Sequence, residues 1–329
     1  MAAVALVTRM AQLSLTKEEA RLCLPNVKPE SSRTEADFFQ QVSNVPDELL
    51  CEIFSFLDGN FVFGKVGLVC KRWNHLSHLT DTQLTFNKCF DSIAKSTNKF
   101  QRVTHCRVVS NGQASKKILS EIFSHESSWP SLKSLDLRSN YLGDDITKCI
   151  SKLSGLKELN LARNSISFEG ARNLAHGNLL RLESLDLSNN SIGARGVECL
   201  ANGNLSQLLS LNMYGNGLGV EGTRQLACGN FLQLKSLDLG CNYVGVEGVR
   251  HLVNGNLSQL TSLSLFGNYI GNEGCKYIAN GNISQLKNLQ LQNNNIGPEG
   301  SKHIHGGNLA QLESCKIMCI IEEIEIYHR

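Results

Sequence analysis

The sequence predicts an α/β solenoid preceded by a three-helix unit. Three observations carry this reading. A Gly-Asn pair recurs every 26 residues, at Gly177, Gly203, Gly229, Gly255, Gly281 and Gly307. Each pair opens a unit of the form Gly-Asn-Leu-x-x-Leu-x-x-Leu-x-Leu, with a glycine-rich stretch behind it. Before the repeats, residues 44–79 place apolar side chains at helical spacing instead. Strand plus helix in every unit predicts a right-handed horseshoe, with parallel strands on the concave face and helices on the convex face.

The strands come from Leu-x-Leu cores: Leu135/Leu137, Leu159/Leu161, Leu185/Leu187, Leu211/Met213, Leu237/Leu239, Leu263/Leu265 and Leu289/Leu291. A period of two points both leucines into the stack and the residues between them outward. An asparagine follows each core at fixed offset, from Asn140 through Asn164, Asn190, Asn216, Asn242 and Asn268 to Asn294. A buried amide there can bond backbone in the turn, and identical repeats let the amides form a ladder. The helices come from Gly-x-x-Gly-x-x-x-Leu-Ala, as in Gly219, Gly222, Leu226 and Ala227. Val103, Cys106, Val108 and Asn111 fit the same template as a degenerate first repeat. Cys315 and Ile317 continue the spacing, but Ile320 replaces the next asparagine and ends the ladder. The tail should cap the open end of the stack. The expected organisation is a disordered leader at 1–43, a helical unit at 44–84, a linker at 85–102, repeats at 103–317 and a cap or tail at 318–329.

The repeats carry the leucine-rich-repeat signature, and their length resembles the ribonuclease-inhibitor class. The helical unit opens with Pro46 in a plausible first turn and acidic Asp47 and Glu48 at the positive helix start. Its run from Val45 to Asp58, followed by Val69-Cys70-Lys71-Arg72-Trp73, resembles the F-box. Val45 stands where that family has Leu, and Gly64 and Gly67 each weaken a helix by about 1 kcal/mol relative to Ala. The resemblance implies that Pro46, Leu49, Ile53, Phe54, Leu57, Val69, Cys70 and Trp73 contact or frame a Skp adaptor, and through it a cullin. Forty residues bury little surface alone, so the competing reading of this unit is a helical cap on the solenoid.

The 32 Lys and Arg nearly balance 30 Asp and Glu, leaving a formal charge of +2. No global field therefore favours nucleic acid or an anionic membrane, and no run approaches ~20 apolar residues. The 12 cysteines form no Cys-x-x-Cys pair and are scattered as in a reducing compartment, the cytoplasm or nucleus. The run Gly217-Leu218-Gly219-Val220-Glu221-Gly222 spells a dinucleotide fingerprint, yet Gly219 and Gly222 are repeat positions and no Rossmann unit surrounds them. Asn204, Asn256 and Asn282 fit glycosylation acceptors only because the repeat recurs. The pairs His75/His78 and His303/His305 lack companion ligands, and no nucleophile elbow is found. No cofactor or metal is expected.

Interest falls on the outward columns of the strand face. One runs Asp136, Asn160, Asp186, Asn212, Asp238, Ser264, Gln290, and the next runs Arg138, Ala162, Ser188, Tyr214, Gly240, Phe266, Gln292. At ~4.8 Å per strand, Tyr214 and Phe266 should stand about 10 Å apart, with a gap over Gly240. Tyr243 and Tyr269 lie three residues further along, on the adjoining loop edge. Exposed aromatics of this kind anchor protein partners. Arg138 and Arg163, near Arg107, form a smaller basic group. The resulting expectation is a non-catalytic substrate receptor of an SCF-type ubiquitin ligase that acts by proximity. Its rivals are a GTPase activator of the Ran type, which needs an exposed arginine, and a ubiquitin-independent scaffold.

Overall fold

The computed structural model describes residues 82–87, 103–109, 116–124, 126–318 and 323–327. The leader, the helices expected over 44–79, the adaptor-contact candidates, Asn111 and Ile320 lie outside these residues.

The described chain builds one sheet whose strands follow sequence order without exception. Strands β1 (Thr82–Asn87) and β2 (Val103–Val109) open it. Helix α1 (Lys116–Phe123) follows, then the repeating strands β3 (Ser134–Asp136), β4 (Glu158–Asn160), β5 (Ser184–Asp186), β6 (Ser210–Asn212), β7 (Ser236–Asp238), β8 (Ser262–Ser264) and β9 (Asn288–Gln290). Between and after them run helices α2 (Asp145–Ile150), α3 (Phe168–Ala175), α4 (Gly193–Ala201), α5 (Gly219–Cys228), α6 (Gly245–Val253), α7 (Gly271–Asn280) and α8 (Pro298–Gly306). Strands β10 (Ser314–Met318) and β11 (Glu323–Tyr327) close the sheet. All neighbours pair in parallel except β10 and β11. Strand, helix, strand in unbroken order is the leucine-rich-repeat solenoid.

The register follows from the repeat length. Leu185, Leu211, Leu237, Leu263 and Leu289 lie directly opposite one another. In the repeat around β6, Leu205, Leu208, Leu211, Met213, Leu218 and Leu226 are all buried. At roughly 2 kcal/mol per buried side chain, this apolar column supplies the main driving force, and each repeat shares it with both neighbours.

The ladder asparagines are buried and bonded across repeats. Asn242 Nδ2 donates to the carbonyls of Met213 (2.8 Å), Leu239 (3.0 Å) and Gly240 (3.1 Å). Its Oδ1 accepts from the N–H groups of Asn216 (2.9 Å) and Leu218 (3.4 Å). The chain flanks six of the seven amides with left-handed residues on both sides, such as Cys241 (φ 54°) and Tyr243 (φ 57°), which turn the asparagine inward; Asn190 has one only before it, Asn189 (φ 53°). The glycine of each Gly-Asn pair has a different task. Gly229, Gly281 and Gly307 have ordinary negative φ. A Cβ on Gly203 would lie 2.6 Å from both Cβ and carbonyl oxygen of Ala175. The following Asn204 N–H donates to that same carbonyl at 2.8 Å. Gly-Asn is therefore the point where one repeat rests on the backbone of the previous one.

The sheet extends beyond residues 103–317 at both ends. The 84/85 boundary between helical unit and linker falls inside β1, so the sheet begins at Thr82. The register pairs Leu84 with Cys106 and Phe86 with Val108. A lone Leu-x-Phe alternation without the ladder asparagine gave too weak a signal. At the other end β11 pairs antiparallel with β10 and covers its edge, as an open strand edge requires. Near the start, Trp129 stacks on Phe123 at 5.0 Å between ring centroids and donates to the Ile122 carbonyl at 2.9 Å.

The described cysteines are all free thiols. Burial pushes the Cys315 thiol up to about 12, and burial with nearby Asp136 raises that of Cys106. Since the thiolate is the reactive species, brief native labelling with a maleimide followed by peptide mapping should modify exposed Cys228. Cys106 and Cys315 should react only after denaturation; their labelling in the folded protein would contradict the packed core.

Candidate functional site

The strand face is built by a local device that repeats along it. In five successive strands the last residue is Asp or Asn, and its side-chain oxygen accepts from the N–H two residues on. The acceptors are Asp136, Asn160, Asp186, Asn212 and Asp238, with distances of 2.8–3.1 Å. Each such turn fixes the chain as it leaves the strand. It also fixes the direction of the side chain that follows, including Arg138 and Tyr214.

At the first end of the face, Arg138 Nε lies 2.9 Å from both oxygens of Asp136, and Arg107 approaches the same carboxylate at 3.4 Å. The hydrogen bond to Asp136 raises the Arg138 pKa against the opposing effect of partial burial. Arg163, exposed and left-handed at φ 56°, has no side-chain partner among the described residues. The expected basic group is thus split: Arg138 and Arg107 converge on Asp136, while Arg163 stands apart.

In the middle of the face, Tyr214 and Phe266 are closer than strand spacing predicts. Their ring centroids are 6.5 Å apart at an interplanar angle of 33°. The expected gap over Gly240 is absent because the Tyr214 ring leans across it. A Cβ on Gly240 would lie 2.5 Å from Tyr214 Cδ2. The Cys241 thiol donates to the Tyr214 hydroxyl at 3.0 Å and anchors the ring in that position. The proximity of the Cys241 thiol, then partial burial, raise the Tyr214 pKa. The two rings form a continuous aromatic platform spanning three strands.

On the loop edge, Tyr243 and Tyr269 stack in near-parallel planes, 6.2 Å between centroids at 10°. They are 66% and 62% exposed, both in the left-handed region at φ 57° and 58°. A side chain other than glycine costs roughly 1–2 kcal/mol there. Tyr141 holds the equivalent position near the first end of the face, 63% exposed at φ 53°. Sequence reading passed over it, although the offset of three residues from Arg138 to Tyr141 matches that from Gly240 to Tyr243.

The two faces differ in how their charges are satisfied. On the helices, Glu221 pairs with Arg224 at 2.6 Å and Glu247 with Arg250 at 2.8 Å, one turn apart. Hydrogen bonds from Arg224 and Gln225 draw the Glu221 carboxyl down to about 2. On the strand face, Asp186 and Asp238 have no cation within ion-pair distance among the described residues. The single buried side-chain oxygen or nitrogen lacking a hydrogen bond among the described residues is Gln292 Oε1, next to Phe266 in its column. No group of three His, Cys, Asp or Glu there could hold a metal ion, and no described helix is long and apolar enough to cross a membrane.

Residues 42–90 match the family model described as F-box-like. Residues 130–192 match one leucine rich repeat model, and residues 234–253 and 257–279 match another. The chain is an F-box-like domain followed by leucine-rich repeats. No match was found among curated proteins. Solved structures similar to it include the leucine-rich repeat-containing protein LegL7 from Legionella pneumophila. That protein is 18% identical, with a TM-score of 0.51 over 79% of this chain and 90% of its own. At that identity the likeness concerns the fold alone. The internalin InlF from Listeria monocytogenes aligns more loosely, at 20% identity and a TM-score of 0.35 over 71% and 77% of the two chains.

Proposed function

We propose that this chain is the substrate-recognition subunit of an SCF-type cullin-RING ubiquitin ligase. The F-box-like domain binds a Skp adaptor, and through it a cullin; the repeats bind a target protein. The observation that carries the reading is the coupling of the two parts: the F-box-like match at 42–90 contains β1, the first strand of the repeat sheet. The chain performs no bond chemistry. It raises the local concentration of target lysines near a ubiquitin-charged partner in the cytoplasm or nucleus. Target contact falls to Tyr214, Phe266, Tyr243 and Tyr269, with Arg138 and Arg163 as outlying contributors. A GTPase activator needs a free guanidinium, and Asp136 occupies that of Arg138, which disfavours the Ran-type rival at that residue.

The test is co-purification of the full chain with a Skp adaptor, beside a Leu49→Asp, Ile53→Asp variant. Both residues belong to the apolar helical pattern, and unpaired carboxylates placed in an apolar contact should weaken binding by at least about 100-fold. Circular dichroism must show the repeats still folded in the variant. Binding by the intact chain and its loss in the variant support the receptor reading. A folded intact chain that fails to bind overturns it and returns the helical unit to the role of a cap.

A further inference from the structure

We infer that the strand face of β5–β8 takes an extended, positively charged segment of a target protein. Its Lys or Arg side chains meet Asp186 and Asp238, and its apolar groups lie on Tyr214 and Phe266. The inference rests on the receptor reading and specifies the chemistry of the target.

Charge complementarity decides the occupant. The stretches Ser184–Asn189, Ser210–Gly215, Ser236–Cys241 and Ser262–Gly267 contain no Lys, Arg or His. They do contain two carboxylates whose Oδ1 atoms accept a backbone N–H from their own turns; Asp186 Oδ2 also accepts from Asn160 Nδ2 at 3.4 Å, and neither carboxylate has a cation within ion-pair distance among the described residues. Any segment lying on the aromatic platform removes water from these carboxylates. An apolar segment leaves them desolvated without a countercharge, which is unfavourable. An acidic or phosphorylated one adds like-charge repulsion. A segment bearing cations compensates both carboxylates and also meets two ring faces that attract cations.

The spacing fits one chain running across the strands. Asp186 and Asp238 are two strands apart, about 9.6 Å at ~4.8 Å per strand. A polyproline-II segment returns to the same side every third residue, after about 9.3 Å. Basic residues three apart therefore meet the two carboxylates in step, while the residues between them pass over Asn212 and Tyr214.

The test exposes the full chain to an immobilised array of random nonapeptides, beside an Asp186→Asn, Asp238→Asn variant. Asparagine preserves the local turn, because Asn160 and Asn212 already accept the same N–H bond at 3.0 Å in the same column. The expected result is at least fivefold enrichment of Lys and Arg over Asp and Glu among bound peptides. Those peptides should bind at least tenfold more weakly to the double variant. Enrichment of acidic or uncharged peptides overturns the inference, as does unchanged binding by the variant or no peptide bound above background. Self-association abolished by the variant assigns the face to a second copy of the chain and overturns it too. Adaptor co-purification is measured on the same preparations. An intact chain that shows no preference for basic peptides while adaptor binding is kept counts against this inference alone. Basic-peptide binding without adaptor binding counts against the receptor reading alone.

Discussion

Replacing Asn242 by Leu is expected to destabilise the repeat array by about 4 kcal/mol or more, at roughly 1–3 kcal/mol for each buried group left without a partner. The leucine leaves the N–H groups of Asn216 and Leu218 without their acceptor. It also removes the donor from the carbonyls of Met213 and Leu239. These atoms belong to two repeats, so the damage falls on the junction between them. In a solenoid, stability is close to a sum of repeat and interface terms. A broken central junction should therefore split urea unfolding into two transitions, read by circular dichroism. Asn294→Leu is the internal comparison. Its Oδ1 accepts a single N–H, that of Asn268 at 2.7 Å, and the expected loss is smaller. Equal losses for the two variants would refute the ladder as the element that joins repeats.

The second large effect is expected from Gly203→Ala, at about 3 kcal/mol, the upper end of what overpacking costs. The new methyl would lie 2.6 Å from the Ala175 carbonyl and 2.9 Å from its Cα. Backbone cannot rotate away as a side chain can, so the two repeats must part. Gly217→Ala is the control. Gly217 has φ 66° and open space around the position of a Cβ, so only the left-handed backbone is penalised, at roughly 1–2 kcal/mol. Thermal melts of both variants give the order directly. A larger loss at Gly217 would mean that backbone conformation, not close approach, fixes the glycine of the Gly-Asn pair.

The repeat architecture was legible because it is written as distance along the chain. A fixed period places Leu185, Leu211 and Leu237 in direct register, and burial of period-two leucines needs no further information. The ladder asparagines were readable for the same reason. The F-box-like stretch was readable from its ordered blocks. Strand β1 was not, because Leu84 and Phe86 stand outside the period. The site was legible only in part. The aromatic column gave Tyr214 and Phe266 their strands but not their rotamers. A spacing argument assumes side chains perpendicular to the sheet, whereas Tyr214 leans over Gly240 toward Cys241. That Asp186 and Asp238 lack an ion pair among the described residues was hidden for a related reason. Pairing depends on which cations reach a carboxylate in space, and Arg138, two residues beyond Asp136, turns back to it.

Strand β1 lies within the F-box-like match and is also the first rung of the sheet. Position along the array can therefore be counted in whole rungs from that unit. Tyr214 follows the sixth rung and Phe266 the eighth. At ~4.8 Å per rung they stand about 24 Å and 34 Å along the stack from β1. The array is thus a ruler graduated in single repeats. Adding or removing one unit of 26 residues before Tyr214 moves the whole aromatic platform by one graduation and leaves every remaining junction of the same kind. On the proposed receptor reading, the reach from the F-box-like unit to the aromatic platform becomes a heritable length, adjustable in steps of about 5 Å without redesign of either end.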